Sequence, residues 1–360
     1  MLTALFTLDY EIHGNGEGCP YELMVEPTAR MLDLFDRYGA KLTIMADVAE
    51  ILKFRDLKEQ TGSDSYHYEA IVRQLKDAIY RGHDVQLHLH CSYFNATHDG
   101  SKWVQDWSEY DFASLDEQRM NDVICRGKSF LEEQLCAVDP KYQCNVFRAA
   151  NWAVSPSQIV IRALLNNDFT IDTSVFKYGQ RKGLVNFDYT NAFSNVLPWR
   201  AASTDISRRD ENGRLVEVPI YSEQRWIGAF LTMQRIYRAW QGRQHPVTPG
   251  HRPANKQPST AATSNPISRL LRLLVHRHAW KADFNQCTGK QLIGAINRVT
   301  RLHPHDELSL PFVIIGHSKL FSRRNQRTLE PFLAHIAQQP NHFAFGKFSH
   351  VDMPKIPANA

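Results

Sequence analysis

Two short stretches carry residue types that could hold a metal ion. Asp84-Val85-Gln86-Leu87-His88-Leu89-His90 reads as a buried β-strand ending in histidines. Phe6-Thr7-Leu8-Asp9-Tyr10-Glu11 reads as a strand ending in carboxylates. Side chains two apart in a strand share a face, so His88 and His90 point together, as do Asp9 and Glu11. Imidazoles and carboxylates converging at strand ends make a donor set suited to zinc or another divalent transition ion. Either pair alone has a plainer explanation: hydrogen-bonded core histidines, or surface acids near a terminus. Two such pairs, both at strand ends, favour the metal reading.

Positioning these residues requires strands that end side by side. Residues 2–9 are apolar and β-prone, and Pro27-Thr28 opens a helix over 27–38 that Gly39 stops. A second strand, 41–46, follows and ends at Asp47. Strand, loop, helix, strand is the signature of a parallel α/β sheet. The Gly14–Gly18 loop between them lacks the Gly-Lys-Ser/Thr of a phosphate cradle and is expected to shape the mouth of a site near Asp9. Residues 57–67 are polar and read as a surface loop. Further helices are expected over 67–80, 115–136, 289–300 and 327–337, with one opening at Pro156. Strands are expected at 145–148, 169–171, 215–220, 311–315 and 343–345. The loop 91–113 is rich in aromatics, Trp103 among them, and is either a platform for sugar faces or packing against the barrel.

Polar residues of catalytic type recur where these strands stop: Asp9/Glu11, Asp47, His88/His90, Arg148, Asp172 and His317/Lys319. In a β/α barrel such strand ends surround one mouth. Because the candidates span nearly the whole chain, a barrel is favoured over an open doubly wound sheet. Residues 1–350 are expected to form one domain, with a flexible insertion at 241–266 and a basic amphipathic helix at 267–280.

The ordered stretches Thr7–Glu11, Gly82–His88, Phe147–Trp152 and Ile314–Lys319 resemble the polysaccharide deacetylase family over most of residues 1–220 and 283–350. The segment 225–282 has no clear counterpart. The resemblance implies a distorted (β/α)7 barrel and a metal-dependent hydrolase that removes N-acetyl or O-acetyl groups from an amino sugar. It implies Asp9 as the catalytic base, Arg148 as the residue orienting it and His317 as the general acid. His88 matches one metal-binding histidine of the family. Tyr10 stands where the family has a ligand aspartate, and Ser92 where it has the second histidine. Alternation supplies Glu11 and His90 as replacements, giving Glu11, His88 and His90 as the metal set, with zinc the expected ion. Trp152, Asp172, Lys319 and Trp103 are the expected substrate contacts. Two rival readings are a barrel that binds a glycan or partner without chemistry, and a metal-free glycosidase using Asp9 and Asp172.

Composition narrows the partners. From Arg225 to Glu330 there are 17 Lys/Arg against 4 Asp/Glu, while the chain as a whole carries +4. A basic segment on an otherwise acidic chain suits an anionic substrate or surface, such as a nucleotide- or lipid-linked sugar or an anionic membrane. It is also what a solvated basic face would look like. Nucleic acid is disfavoured because no zinc-finger spacing or other recognised module accompanies the charge. The apolar run at the N-terminus ends at Asp9, too early for a secretory leader, and the six cysteines are scattered. Both features lead to the expectation of a cytoplasmic protein with reduced thiols.

Overall fold

A computed structural model describes residues 1–245, 276–303 and 309–350. The strands of the main sheet and of one flanking pair are, in chain order, β1 (Leu2–Tyr10), β2 (Leu42–Asp47), β3 (Asp84–Leu89), β4 (Val146–Ala149), β5 (Ile171–Asp172), β6 (Trp199–Ala202), β7 (Asp205–Arg209), β8 (Val216–Glu217), β9 (Ser222–Arg225), β10 (His278–Lys281), β11 (Leu310–His317) and β12 (Phe343–Phe345), beside two short hairpins that pair Thr97–His98 with Trp103–Val104 and Gln180–Arg181 with Phe187–Asp188. The helices are α1 (Glu26–Tyr38), α2 (Val48–Thr61), α3 (Tyr68–Tyr80), α4 (Glu117–Leu135), α5 (Ser157–Asn166), α6 (Met233–Gln244), α7 (Gly289–Leu302) and α8 (Arg323–Ala337).

The main sheet runs β7-β6-β8-β5-β4-β3-β2-β1-β11, with β12 also paired to β1. From β8 to β11 its ladders are parallel. The two ends of this parallel stretch approach each other. Tyr221 N–H donates to the Val313 carbonyl at 3.1 Å, and Phe284 N–H donates to that of Ile315 at 2.9 Å. Thus the irregular segments after β8 and β10 line the free side of β11 and curl the sheet into a distorted β/α barrel.

Central strands buried on both faces are predominantly apolar, and β1, β2 and β11 are buried along their whole length. Phe6 shows how the helices seat. Its ring packs against Phe35 of α1 at 4.8 Å and Phe332 of α8 at 6.0 Å. Burying a ring of this size stabilises the fold by about 1.5–3 kcal/mol. Helix α7 begins with a reciprocal capping box, Thr288 with Gln291, and α8 with another, Ser322 with Asn325.

Three expectations are corrected. The polar stretch from 57 is not a loop at its start, because α2 runs on to Thr61 and stops at Gly62, whose φ is +70°. The buried apolar residues that anchor α2 lie in its first two turns, and its last turns are polar apart from the half-buried Leu57. Residues 278–280 of the basic helix belong instead to strand β10, which pairs antiparallel with β9, Ser222 opposite Lys281. Residues 241–244 of the expected insertion 241–266 belong instead to helix α6, which runs on to Gln244; residues 246–266 of it, and the remainder of the basic helix up to residue 275, lie outside the described residues. The hairpin β6–β7 and helix α6 had no counterpart in the expected elements.

Candidate metal centre and active site

Parallel register sets the site. Asp9 pairs with His317 across β1 and β11, Asp47 with His88 across β2 and β3, and His88 with Arg148 across β3 and β4. The carboxyl ends of five consecutive strands thus bring these residues to one mouth. They open onto a cavity of about 380 Å³ whose lining includes Asp9, Glu11, His88, His90, Trp152, His317 and Lys319.

Arg148 is fully buried beneath this floor. Its Nη1 donates to Asp9 Oδ1 and to Thr7 Oγ1, both at 2.8 Å, and its Nε donates to the Thr173 carbonyl at 3.0 Å. Burial alone would raise the Asp9 pKa, but Arg148, His317 and His88 outweigh it and hold the carboxyl below its ordinary value. Asp9 is therefore ionised. Its other oxygen, Oδ2, lies 3.6 Å from His317 Nε2. Burial, only partly opposed by Asp9 and Glu11, pushes His317 down to about 4, so its imidazole is neutral near pH 7.

His88 Nδ1 donates to the Arg148 carbonyl at 2.8 Å. That bond orients the ring and turns Nε2 toward Glu11 Oε2, 3.4 Å away. His90 Nδ1 lies 3.1 Å from the same Glu11 oxygen and 2.7 Å from Asp47 Oδ2. Lys319 Nζ donates to Glu11 Oε1 at 2.7 Å and to the Ile12 carbonyl at 2.6 Å. Glu11 Oε2 is thereby left buried without a hydrogen-bond partner, facing two imidazoles. Burial would raise the Glu11 pKa, yet Lys319, His90 and His88 hold it well below the carboxylate range.

The donors of Glu11, His88 and His90 lie within 4.8 Å of one another. The electrostatics fit a cation as well as the distances do. Burial lowers the pKa of both histidines, but Glu11 and Asp9 around His88, and Glu11 and Asp47 around His90, raise each above its ordinary value. The site thus favours positive charge among its carboxylates. A divalent ion on one carboxylate oxygen and two imidazole nitrogens meets that preference and occupies the orphaned oxygen. Asp47, Glu50 and His90 form a second close group. Glu50, however, is pushed well up by burial and by Asp47 and Glu11, and its Oε2 accepts from Ile12 N–H. A protonated carboxyl is a poor ligand, and neither acid lines the cavity.

The two positions that depart from the deacetylase pattern both point away. Tyr10 donates from its hydroxyl to Gln74 Oε1 at 2.8 Å, and Ser92 donates to Gln105 Oε1 at 2.8 Å. Strand alternation, with every second residue facing the mouth, explains why Glu11 and His90 stand at the site and Tyr10 does not.

Of the expected substrate contacts, Trp152 and Lys319 line the cavity, whereas Trp103 and Asp172 do not. Trp103 is buried among Phe54, Tyr66 and His98. Its main-chain N–H donates to the Gly16 carbonyl, and a Cβ at Gly16 would meet the Trp103 carbonyl oxygen at 2.1 Å. Trp103 therefore braces the glycine loop at the mouth instead of stacking on a substrate. Asp172 lies fully buried, accepting from Ser174 N–H at 2.9 Å and from its hydroxyl at 3.0 Å. Burial raises its pKa and, with Asp172 beside it, pushes Glu217 well up, so the two buried acids share protons. From the aromatic loop it is Tyr110 that reaches the cavity.

Sequence reasoning missed a second group of lining residues: His13, Asn151, Arg181, Arg238 and His245. Asn151 and Trp152 both have left-handed backbones, φ +56° and +59°, a conformation costly for tryptophan. Tyr189 fastens this turn by donating to the Trp152 carbonyl at 2.8 Å and accepting from Val154 N–H at 3.1 Å. His13 and His245 stack at 4.1 Å, joining the end of α6 to the glycine loop. Arg238 and His245 belong to the segment without a family counterpart, so no motif marked them.

The fold is a distorted β/α barrel. Similar solved structures include a putative polysaccharide deacetylase from Mycobacterium smegmatis, at 12% identity and a TM-score of 0.47 over 97% of this chain and 88% of that one. They also include 4-alpha-glucanotransferase from Thermococcus litoralis, at 12% identity and a TM-score of 0.50 over 97% of this chain and 39% of that one. A third is a GH57-type branching enzyme from Pyrococcus horikoshii, at 11% identity and a TM-score of 0.49 over 96% of this chain and 69% of that one. These likenesses are of fold. The sequence matches no protein-family model, and no curated protein matches it.

Proposed function

We propose that this chain is a divalent-cation-dependent hydrolase that removes an acetyl group, N-linked or O-linked, from an amino sugar in a surface-glycan precursor. Fold alone does not choose between deacetylation and glucan transfer, because one barrel hosts many chemistries. The observation that carries the reading is Glu11 Oε2, buried and unpartnered, within 3.4 Å of His88 Nε2 and 3.1 Å of His90 Nδ1. Beside it stand an ionised Asp9 and a neutral His317. The glycosidase alternative loses support because Asp172, its second carboxylate, is buried away from the cavity.

Glu11, His88 and His90 would hold the ion, with zinc favoured by the mixed imidazole and carboxylate set. Such an ion polarises an acyl carbonyl and lowers the pKa of a water. Asp9 Oδ2, the oxygen not bound by Arg148, accepts the proton of the attacking water. His317, neutral at rest, takes that proton across the 3.6 Å gap and delivers it to the departing amine or hydroxyl. Arg148 keeps Asp9 ionised and oriented, and Trp152 stands edge-on to His317 at 6.1 Å, shielding one side of the reacting group.

Excess Lys/Arg in the C-terminal half supports a nucleotide- or lipid-linked sugar as substrate and an anionic membrane as a surface of contact. Among the described residues no helix is long and apolar enough to cross a membrane. Free thiols at all six cysteines suit the cytoplasmic location that this reading includes. Acetate release from acetylated amino sugars by the zinc-loaded protein tests the proposal. Release that is lost in His88→Ala supports it; release of a reducing sugar without acetate from a glycan overturns it.

A further inference from the structure

The cavity carries more positive charge than its catalytic carboxylates use. Asp9 is matched by Arg148, and Glu11 by Lys319. Two further guanidiniums line the same cavity, from elements outside the strand ends: Arg181, in a short hairpin after β5, and Arg238, on α6. Arg238 Nη1 lies 3.4 Å from Asp283 Oδ2, an oxygen that also accepts from Gln286, while the other Asp283 oxygen accepts from Asn285 N–H. Arg181 makes no ion pair among the described residues. Its Nη1 donates instead to a neutral group, Asn151 Oδ1, at 2.9 Å.

That bond orients the Asn151 amide. A guanidinium only donates, so the oxygen must face Arg181, and Nδ2 must face elsewhere. Asn151 Nδ2 is buried and has no partner, although Asn151 lines the cavity. The turn that presents it is held in a strained left-handed conformation. A buried unsatisfied donor is costly. Here it sits beside a guanidinium without a counter-charge, and the pair lacks an acceptor that carries negative charge.

We propose that Arg181, Arg238 and Asn151 Nδ2 form a subsite for a phosphate-class anion, which anchors the phosphate or diphosphate of the sugar substrate beside the catalytic centre. Two guanidiniums and one amide donor match the several acceptor oxygens of a phosphate. A single carboxylate, with two oxygens, would leave several of these N–H donors without an acceptor. The sugar attached to the anion is named from the hydrolase reading; the anion subsite itself does not depend on it.

Calorimetric titration of the full chain with inorganic pyrophosphate at fixed ionic strength tests the subsite. Saturable binding is expected, weakened about tenfold in Arg181→Gln and again in Arg238→Gln. Arg181→Lys, which keeps the charge, should fall between Arg181→Gln and the native chain, and thermal melts establish that each variant folds. His88→Ala should bind pyrophosphate as the native chain does, because its imidazole is not part of the subsite. Competition by UDP-N-acetylglucosamine and by a short-chain polyprenyl-diphospho-N-acetylglucosamine then separates the two sources, the tighter one being the carrier. No pyrophosphate binding by the native chain, equal binding by the native chain and both glutamine variants, or loss in His88→Ala alone would each overturn the subsite. If the subsite holds but no acetate is released, it is the hydrolase reading that fails.

Discussion

His88 Nδ1 donates to the main-chain carbonyl of Arg148, the residue whose guanidinium holds Asp9. One residue on β4 therefore serves both halves of the centre, through its backbone for the metal ligand and through its side chain for the base. The two contributions can be separated by substitution, since the carbonyl survives any change of side chain.

Arg148→Lys should keep cation binding and lose turnover. A lysine ammonium cannot reach Asp9, Thr7 and Thr173 together, so Asp9 is left poorly matched in a buried site. Turnover is expected to fall at least about 100-fold, as positioned acid–base groups contribute on that scale. Zinc content by elemental analysis should stay near that of the native chain. Joint loss of zinc and activity would show that the two halves are not separable.

Cation affinity should fall as pH is lowered. Glu11, Asp9 and Asp47 raise the pKa values of His88 and His90, so protons compete with the ion from a higher pH than they would at ordinary imidazoles. Competition with a chromophoric chelator should show affinity declining through the raised imidazole range, with up to two protons taken up per ion released. An affinity independent of pH would place the ion elsewhere.

Fold stability should respond to His83. This buried imidazole accepts from Leu42 N–H at Nδ1 and contacts Asp36 Oδ1 from Nε2 at 3.0 Å. Burial pushes its pKa down to about 4, against the opposing effect of Asp36. The unfolded chain binds the proton near pH 6.5, the folded chain only near 4, so stability drops as pH falls between those values. The loss from this group amounts to about 3 kcal/mol at most. Urea unfolding across that window should show a shallower dependence in His83→Asn.

Much of the centre was legible in the sequence because strand alternation is a strict geometric rule. Asp9, Glu11, His88 and His90 follow from it once their segments are read as strands. Asp172 and Trp103 were misplaced for a related reason: position at a strand end, or in an aromatic loop, does not say whether a side chain faces the mouth or the core. Asp172 turns toward Glu217, and Trp103 toward Phe54 and Tyr66. Pairings between distant segments left no local signal at all. Ser222 meets Lys281 across β9 and β10, and Arg238 reaches the cavity from a helix that had no motif.

The buried acid pair should prove structural. Because Glu217 is held protonated beside Asp172, Glu217→Gln preserves its shape and hydrogen bonding and is expected to cost no more than about 1 kcal/mol. Turnover should remain near that of the native chain. A collapse of activity in a variant that still folds would return Asp172 and Glu217 to the reaction.

Trp226, Leu231, Met233 and Ile236 are exposed around the start of α6, and residues 226–282 contain no Asp or Glu. Cosedimentation with vesicles containing phosphatidylglycerol is expected, and with neutral phosphatidylcholine vesicles it should be absent. Replacing Trp226 and Leu231 by serine should weaken the association. Equal retention on both vesicle types would remove the electrostatic part of this contact.

Zinc stoichiometry is the most direct test of the whole account. Protein purified without chelators and reloaded with zinc should bind one equivalent at the Glu11, His88 and His90 site, and both Glu11→Gln and His88→Ala should lose it while remaining folded. Failure of the native chain to bind zinc or another divalent transition ion, or undiminished binding in both variants, would contradict the metal centre.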